Sequence, residues 1–257
     1  MNKDIKNKYE RDEISAALYQ RTEELNQISS AVPDDNGLIE CAAIVLRDFI
    51  VFPKMVSPLF LSSGRDLEAV KKAQTDSKTI IGLIPKSTDI VKGKKSDFLN
   101  IGIEMAIGRL LDMDDGNLSS LIQGRRRIKI IRIIQKGPYY RVIARLFTEN
   151  KSVDRETRAL MRIAADLFEK CVHYDRSLPE EANLFSLNIN EPGWLADMIA
   201  MAIAPEYEDR KELIRIINPR DRLKYVNRLL AQELDVLQLE GDIQSRVQRE
   251  VDRSQRE

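Results

Sequence analysis

Residues 40–61 read Glu-Cys-Ala-Ala-Ile-Val-Leu-Arg-Asp-Phe-Ile-Val-Phe-Pro-Lys-Met-Val-Ser-Pro-Leu-Phe-Leu. The apolar run over 42–46 is rich in β-branched residues, which is typical of a buried strand. Four large apolar residues, 49–52, then precede Pro53, whose ring removes a backbone donor and favours an extended conformation at the preceding residue. This pattern predicts a corner between two strands. Pro58 predicts that the second strand lies at a sheet edge or a bulge.

The sequence on both sides of this corner predicts a β-rich domain over residues 38–149. A helix is predicted over 66–75, and further strands are predicted over 79–84, 101–107, 118–123, 127–134 and 139–147. Asp114-Asp115-Gly116-Asn117 is a hairpin signal, because Asp-Gly accommodates the positive φ angles of a tight turn. About six or seven short strands with one helix predict a small closed or nearly closed β-barrel, since closure removes exposed strand edges.

From Val153 onward the apolar period changes to that of helices, which predicts a helical subdomain over residues 150–257. Helices are predicted over 157–174, from Pro192 until Pro205 ends the helix, and over 208–217, and a last helix is predicted from Pro219 to Glu257. That helix would be about 58 Å long. Beyond Gly241 its apolar residues are sparse, so we expect it to project from the helical bundle. The fold class predicted for the whole chain is α+β.

Residues 1–37 carry few apolar side chains, and a breaker follows at 32–37. We therefore expect an N-terminal helical extension outside the core domain. A solvated, partly frayed helix and a dedicated docking helix are both compatible with this pattern.

The composition describes a well-charged globular protein. The 41 basic and 41 acidic residues balance, so no global field attracts the chain to nucleic acid or membrane. No apolar run approaches the ~20 residues of a membrane span, and the N-terminus resembles no targeting peptide, so we expect a cytoplasmic location. Cys41 and Cys171 fit no metal or redox spacing, which predicts two buried free thiols in a reducing compartment.

Motifs of catalysis are not evident. Gly93-Lys94-Lys95-Ser96 lacks the upstream glycine of a phosphate-binding loop, so we expect no nucleotide cofactor in this chain. His173 is the only histidine, and no Ser or Cys elbow accompanies it. We expect neither an enzyme nor a metal site in these 257 residues.

Several groups of residues resemble the N-terminal domain of Lon proteases. They are Leu46-Arg47-Asp48, Val51-Phe52-Pro53, Met55 to Phe60, Ile101 to Leu111, Asp114 to Gly116, Gly124 to Ile130 and Glu191 to Ala200. Val45 departs from the family pattern, which usually has proline there. The resemblance implies a PUA-like pseudo-barrel of the pseudouridine-synthase-and-archaeosine type, followed by a helical bundle.

The resemblance also implies a function. Such a region recognises substrates for an ATP-dependent serine endopeptidase of the AAA+ type, which acts in protein quality control and is a hexamer when intact. We therefore expect this chain to be truncated before the ATPase module, which would hold ATP and Mg²⁺. The catalytic serine and lysine of the family lie in a region that this chain does not contain.

Unfolded or damaged polypeptides are the partners that this resemblance implies. Their shared feature is exposed apolar side chains, so a recognition surface needs adaptable apolar groups. The predicted substrate-binding residues are Phe49, Ile50, Val51, Phe52, Pro53, Met55, Tyr139 and Tyr140. Each of them could instead fill the barrel. Self-association is predicted through Ile243, Val247 and Val251 on the last helix.

Two other functions are compatible with the sequence. One is a PUA-like nucleic-acid-binding module, because a basic cluster comprises Arg125, Arg126, Arg127, Lys129, Arg132, Arg141 and Arg145. The zero net charge and the absence of interleaved aromatic residues argue against it. The other is a standalone Lon-domain protein without an ATPase.

Overall fold

The computed structural model describes residues 20–62, 64–87, 94–113, 116–134, 137–149, 152–175, 178, 180–203 and 206–254, and it describes only the backbone of 180–182, 245 and 248–254. Part of the predicted N-terminal helix, the predicted loop around residue 90 and residues 114 and 115 of the predicted hairpin lie outside these ranges. The chain forms two compact units, Met1–Phe147 and Thr148–Glu257. A sheet occupies the first unit and helices the second, so the α+β prediction is confirmed. The predicted domain limits at residues 37 and 149 stay a prediction.

The first unit contains a sheet and short helical segments. In chain order these are a helical segment α1 over residues 20–27, β1 (Leu38–Val45), β2 (Val56–Leu61), α2 (Arg65–Thr75), β3 (Thr79–Leu83), a 3₁₀ turn (Lys95–Asp97), β4 (Ile101–Ile107), β5 (Leu111–Asp112), β6 (Leu118–Ile134) and β7 (Tyr140–Leu146).

Strand β6 organises the sheet. It has 17 residues, and it pairs antiparallel with β2, β4, β5 and β7. The pairings run from β6 through β4, β3 and β1 to β7, and β7 pairs with β6 again. Strands β1 and β3 are parallel. The sequence predicted two strands where β6 is continuous through Gly124, since this glycine serves a close approach and makes no turn.

The corner predicted at Pro53 is present, and its backbone contacts Gly124 directly. The backbone N–H of Lys54 donates to the Gly124 carbonyl at 2.7 Å, and the Gly124 N–H donates to the Met55 carbonyl at 2.9 Å. A third bond, 3.1 Å long, joins the Met55 N–H to the Phe52 carbonyl, and Lys54 has a φ of 67°. Any Cβ on Gly124 would collide with the Phe52 carbonyl, so only glycine permits this contact.

Apolar side chains from β1, β3, β6 and β7 form the core of the first unit. Phe98 belongs to this core and is completely buried, and its ring contacts the Tyr140 ring edge-on with centroids 6.2 Å apart. Burying this many large side chains is the main favourable term in folding. Strand β2 pairs only with β6 in the described sheet, so the prediction that Pro58 lies on an edge strand is confirmed.

The N-terminal segment packs against this sheet. Leu25 is completely buried beside Ala106 and Leu121. The buried Glu104 carboxylate accepts a 2.6 Å hydrogen bond from the backbone of Ala31. The expectation of an extension outside the core was therefore wrong for the described part of this segment. The N-terminal segment attaches to the sheet with few apolar side chains, because backbone groups make much of the contact.

The second unit consists of helices α3 (Arg155–Tyr174), α4 (Glu180–Leu187), α5 (Pro192–Ala202), α6 (Tyr207–Arg215) and α7 (Pro219–Ser254). Helix α4 was not predicted, since its apolar residues follow no helical stripe. Helix α7 packs on α3 and α5 through Leu223, Val226, Leu230 and Leu234. Within the described ranges, every helix is too short or too polar to span a lipid bilayer.

A buried arginine joins separate segments of the second unit. Arg222 is completely buried, and its Nε lies 3.1 Å from Oδ1 of the buried Asp197. Its guanidinium also pairs with Glu149 and donates to the Ile216 carbonyl at 2.8 Å. Gly193 leaves room for this network, because a Cβ there would collide with Arg222 and Glu149. Breaking a buried pair on one side is strongly destabilising.

Gly124→Ala tests the corner. We expect the free energy of unfolding to fall by about 2–3 kcal/mol, because the new methyl group must displace backbone. Denaturant unfolding followed by circular dichroism measures this change. Gly241→Ala is the control: it lies in helix α7 with nothing near its Cβ position, so it should stabilise the chain by about 0.5–1 kcal/mol. Equal stability of Gly124→Ala and wild type would contradict the close approach.

Candidate functional site

Three exposed apolar side chains lie at one end of the sheet. Phe60 of β2 and Leu111 of β5 pair with the same residue of β6, Ser119, from opposite sides. Cross-strand partners point to the same face of a sheet, so Phe60 and Leu111 flank Ser119 on one face. Phe60 is 65% exposed, and Leu111 and Met113 are 42% and 37% exposed. We call Phe60, Leu111 and Met113 the apolar row.

The apolar row continues a face that helix α1 covers elsewhere. Val56 and Leu121 lie further along the same two strands and pack against Leu25 of α1. Phe60 lies four residues beyond Val56, so it points to the same side but remains exposed. Among the described residues, the row is thus the uncovered end of a partly covered apolar face.

The structure places the eight predicted substrate-binding residues mostly in the core. Ile50, Val51, Phe52 and Tyr140 are buried, which contradicts their expected exposure. Phe52 is part of the corner that contacts Gly124. Tyr140 contacts Phe98 and the guanidinium of Arg65. The remaining four are half-buried: Phe49, Pro53, Met55 and Tyr139.

Sequence reasoning missed the apolar row, although a signal for Phe60 was available. Leu59 and Leu61 are buried and Phe60 between them is exposed, as alternation along a strand requires. On an edge strand with one solvated face, every second side chain points to solvent, and Phe60 is one of these. The four consecutive apolar residues 49–52 have no alternation, so their side of the sheet could not be assigned from the pattern.

The basic cluster is largely occupied by contacts within the first unit. Arg125 donates to the carbonyls of Leu25 and Ile28, and burial lowers the pKa of its guanidinium. Arg126 pairs with Glu104. Arg127 is only 5% exposed, and its guanidinium lies 5.9 Å from the Phe52 ring centroid. These three residues therefore do not form the exposed basic ridge that a nucleic-acid module would need.

The outer part of the same cluster is exposed. Arg141 pairs with Glu40 at 3.0 Å. Lys129, Arg132 and Arg145 lie on the surface of β6 and β7, and Lys129 is directly opposite Arg145. Three exposed cations are a small electrostatic footprint compared with the extended basic surfaces of nucleic-acid-binding domains.

The two cysteines are buried and free, and the histidine lies against an aromatic ring. Burial raises the pKa of both Cys41 and Cys171 to about 11, and nearby carboxylates add to the effect. His173 contacts the ring of Tyr174. Among the described residues, no three His, Cys, Asp or Glu side chains come together in a way that could hold a metal ion.

Thiol modification tests the burial of the cysteines. With a pKa of about 11, roughly 0.1% of each thiol is ionised at pH 8. We expect Ellman's reagent to modify the native chain at least ~100-fold more slowly than the chain in guanidinium, since the thiolate is the nucleophile. Cys41→Ala and Cys171→Ala assign the two rates. Rapid modification of either native thiol would contradict its position in the core.

The predicted assembly residues lie on the distal part of helix α7. Ile243 and Val247 are about half exposed. Val251 lies within the helix, but its side chain is outside the described residues. Val236 and Leu239 are also exposed, and they extend the predicted stripe towards the bundle at helical spacing.

Comparison with known proteins yields one family. Residues 40–232 match the family model of the ATP-dependent protease La (LON) substrate-binding domain. The chain is 30% identical over 219 residues to Lon protease 2 of Herpetosiphon aurantiacus, covering 85% of this chain and 27% of that protein. It is also 30% identical over 227 residues to Lon protease of Escherichia coli K12, covering 88% of this chain and 29% of that protein. The chain thus spans less than a third of the length of these curated relatives.

Solved structures show the same fold. The N-terminal domain of Mycobacterium avium complex Lon protease aligns with a TM-score of 0.63 at 20% identity, covering 76% of this chain and 98% of that domain. A Lon N-terminal domain protein from Xanthomonas campestris aligns with a TM-score of 0.53 at 16% identity, covering 75% of this chain and 97% of that protein.

Proposed function

Because this chain belongs to the family of LON substrate-binding domains, we propose that it captures unfolded or damaged polypeptides through the apolar row. The observation that carries this proposal is the exposure of Phe60, Leu111 and Met113 at one end of the sheet. Unfolded chains share no sequence, but they expose apolar side chains that a folded protein hides. Contiguous exposed apolar surface on a folded protein often marks a binding site, whereas single exposed apolar residues are ordinary.

The position of the row suits weak and adaptable binding. Phe60 presents a large rigid side chain, and Met113 has a flexible one that fits partners of different shape. Phe60 of the row lies on the edge strand β2, whose Pro58 has no N–H to donate to an added strand. Side-chain contacts therefore contribute more here than backbone pairing, which favours contacts that are released readily.

We also infer that the sheet of the first unit is a PUA-like pseudo-barrel. The support is the path of pairings from β6 through β4, β3, β1 and β7 back to β6. A closed path leaves β2 and β5 as additional strands outside it, and both carry residues of the apolar row.

Phe60→Ser combined with Leu111→Ser tests the capture of unfolded polypeptides. We expect affinity for a permanently unfolded protein, such as reduced and carboxymethylated lactalbumin, to fall about fivefold or more, because two exposed apolar contacts are lost. Thermal stability should be unchanged, since both side chains are exposed. Fluorescence anisotropy measures the affinity.

Val32→Ser is the matched control, because Val32 is 85% exposed in the same unit but outside the row. It should bind like wild type. Unchanged binding by the folded double variant would overturn the proposal. Phe49→Glu and Met55→Glu in the same assay test the half-buried residues of the predicted corner, where lost stability would instead assign them to the core.

In the intact protein we propose an ATP-dependent serine endopeptidase that assembles as a hexamer in the cytoplasm. ATP and Mg²⁺ would be bound by an ATPase module outside these residues. The support is family membership together with the short span of the relatives that this chain covers. Helix α7 contributes to assembly through its exposed stripe, which comprises Val236, Leu239, Ile243 and Val247.

Light scattering tests the contribution of helix α7. We expect this chain alone to be a monomer or a weak, concentration-dependent oligomer, because four exposed side chains bury too little area to offset the cost of association. Ile243→Glu with Val247→Glu should abolish any weak association without loss of stability. Lys129→Glu, also exposed but remote in sequence, controls for the added charge. A tight hexamer of this chain, or weak association that survives the double variant, would contradict the assignment.

A further inference from the structure

A groove lies within the helical unit, between α3 and the segment that runs from α4 into α5. Its volume is about 470 Å³, which is within the range of ~300–1,000 Å³ typical of ligand sites. Ile189 and Leu195 contribute to its lining and are almost completely buried, whereas Leu187 is 60% exposed. We call this the α3–α5 groove. It therefore combines a fixed apolar lining with an accessible apolar wall.

Two arginines of helix α3 line the same groove. Arg158 and Arg162 are four residues apart, so they lie on one face of the helix, and both are exposed. None of the lining residues that the structure describes is acidic. Within the described part of this unit, neither guanidinium forms an ion pair, so the two positive charges reinforce one another along one wall.

Three other arginines of the second unit form ion pairs with carboxylates. Arg220 pairs with both Asp154 and Glu156, Arg215 pairs with Glu212, and Arg222 pairs with Asp197. The guanidinium is a planar donor that recognises carboxylates by two parallel hydrogen bonds. Two guanidiniums that have no ion pair among the described residues of this unit, beside an apolar groove, thus match a ligand that carries both carboxylates and an aliphatic side chain.

We propose that the α3–α5 groove binds an acidic polypeptide segment in which a leucine-like side chain is flanked by Asp or Glu. The aliphatic side chain enters the groove beside Leu187 and Leu195, and the flanking carboxylates pair with Arg158 and Arg162. This site discriminates by charge, whereas the apolar row does not. The proposal stands independently of the proposed function, because it involves only the second unit and a different ligand chemistry.

Two labelled peptides test the proposal by fluorescence anisotropy on the whole chain. One has two leucines flanked by aspartates, and its twin has asparagine at every aspartate position. At low salt we expect the acidic peptide to bind about three- to tenfold more tightly than its asparagine twin, because only the acidic peptide can form two partly exposed ion pairs. Arg158→Gln with Arg162→Gln should remove this preference, and added salt should weaken it. Leu187→Ser should weaken the binding of both peptides.

Lys129→Gln with Arg145→Gln is the matched control, since it removes the same charge from exposed positions of the first unit. It should retain the preference for the acidic peptide, as should the Phe60→Ser, Leu111→Ser variant. Equal affinity of wild type for the two peptides overturns the proposal. A preference that survives in the arginine variant, or that the control variant loses to the same extent, also overturns it. A variant that loses binding to unfolded protein but keeps the preference for the acidic peptide counts against the apolar row and not against this groove.

Discussion

The contact between Gly124 and the Phe52–Pro53 corner is the constraint on which the first unit depends. Three backbone hydrogen bonds join the corner together and to β6, and no other residue type leaves room for them. The corner connects β1 to β2, so it places β2 along the first half of β6. It also directs Ile50, Val51 and Phe52 into the core. The same contact therefore determines which apolar side chains are buried and leaves Phe60 exposed on the edge strand.

Periodicity predicted most strands and helices correctly because burial on one side imposes a period on the sequence. It failed where contacts involve the backbone. The attachment of α1 uses Arg125 with the carbonyls of Leu25 and Ile28, and such bonds leave no pattern in the segment that accepts them. Likewise, Gly124 looked like a break between strands, since a sequence does not reveal whether a glycine turns the chain or admits a neighbour.

The candidate sites were hardest to predict, because the same residue types serve structure and binding. Arg126 and Arg222 are used in buried ion pairs, whereas Arg158 and Arg162 have no ion pair in the described part of their unit. A count of charges along the sequence treats all four alike. The distinction depends on which carboxylates folding brings near each guanidinium, and that is a long-range property. The apolar corner illustrates the same limit, since hydrophobicity alone did not separate Phe52 from Phe60.

The two proposed surfaces differ in what they can distinguish. The apolar row offers contacts that any exposed apolar side chain can make, so we expect it to bind weakly and to a wide range of partners. The α3–α5 groove adds two charges, which reject basic segments as well as attracting acidic ones. Of these two surfaces, the groove alone can therefore select a segment by its charge, because the row contains no charged side chain.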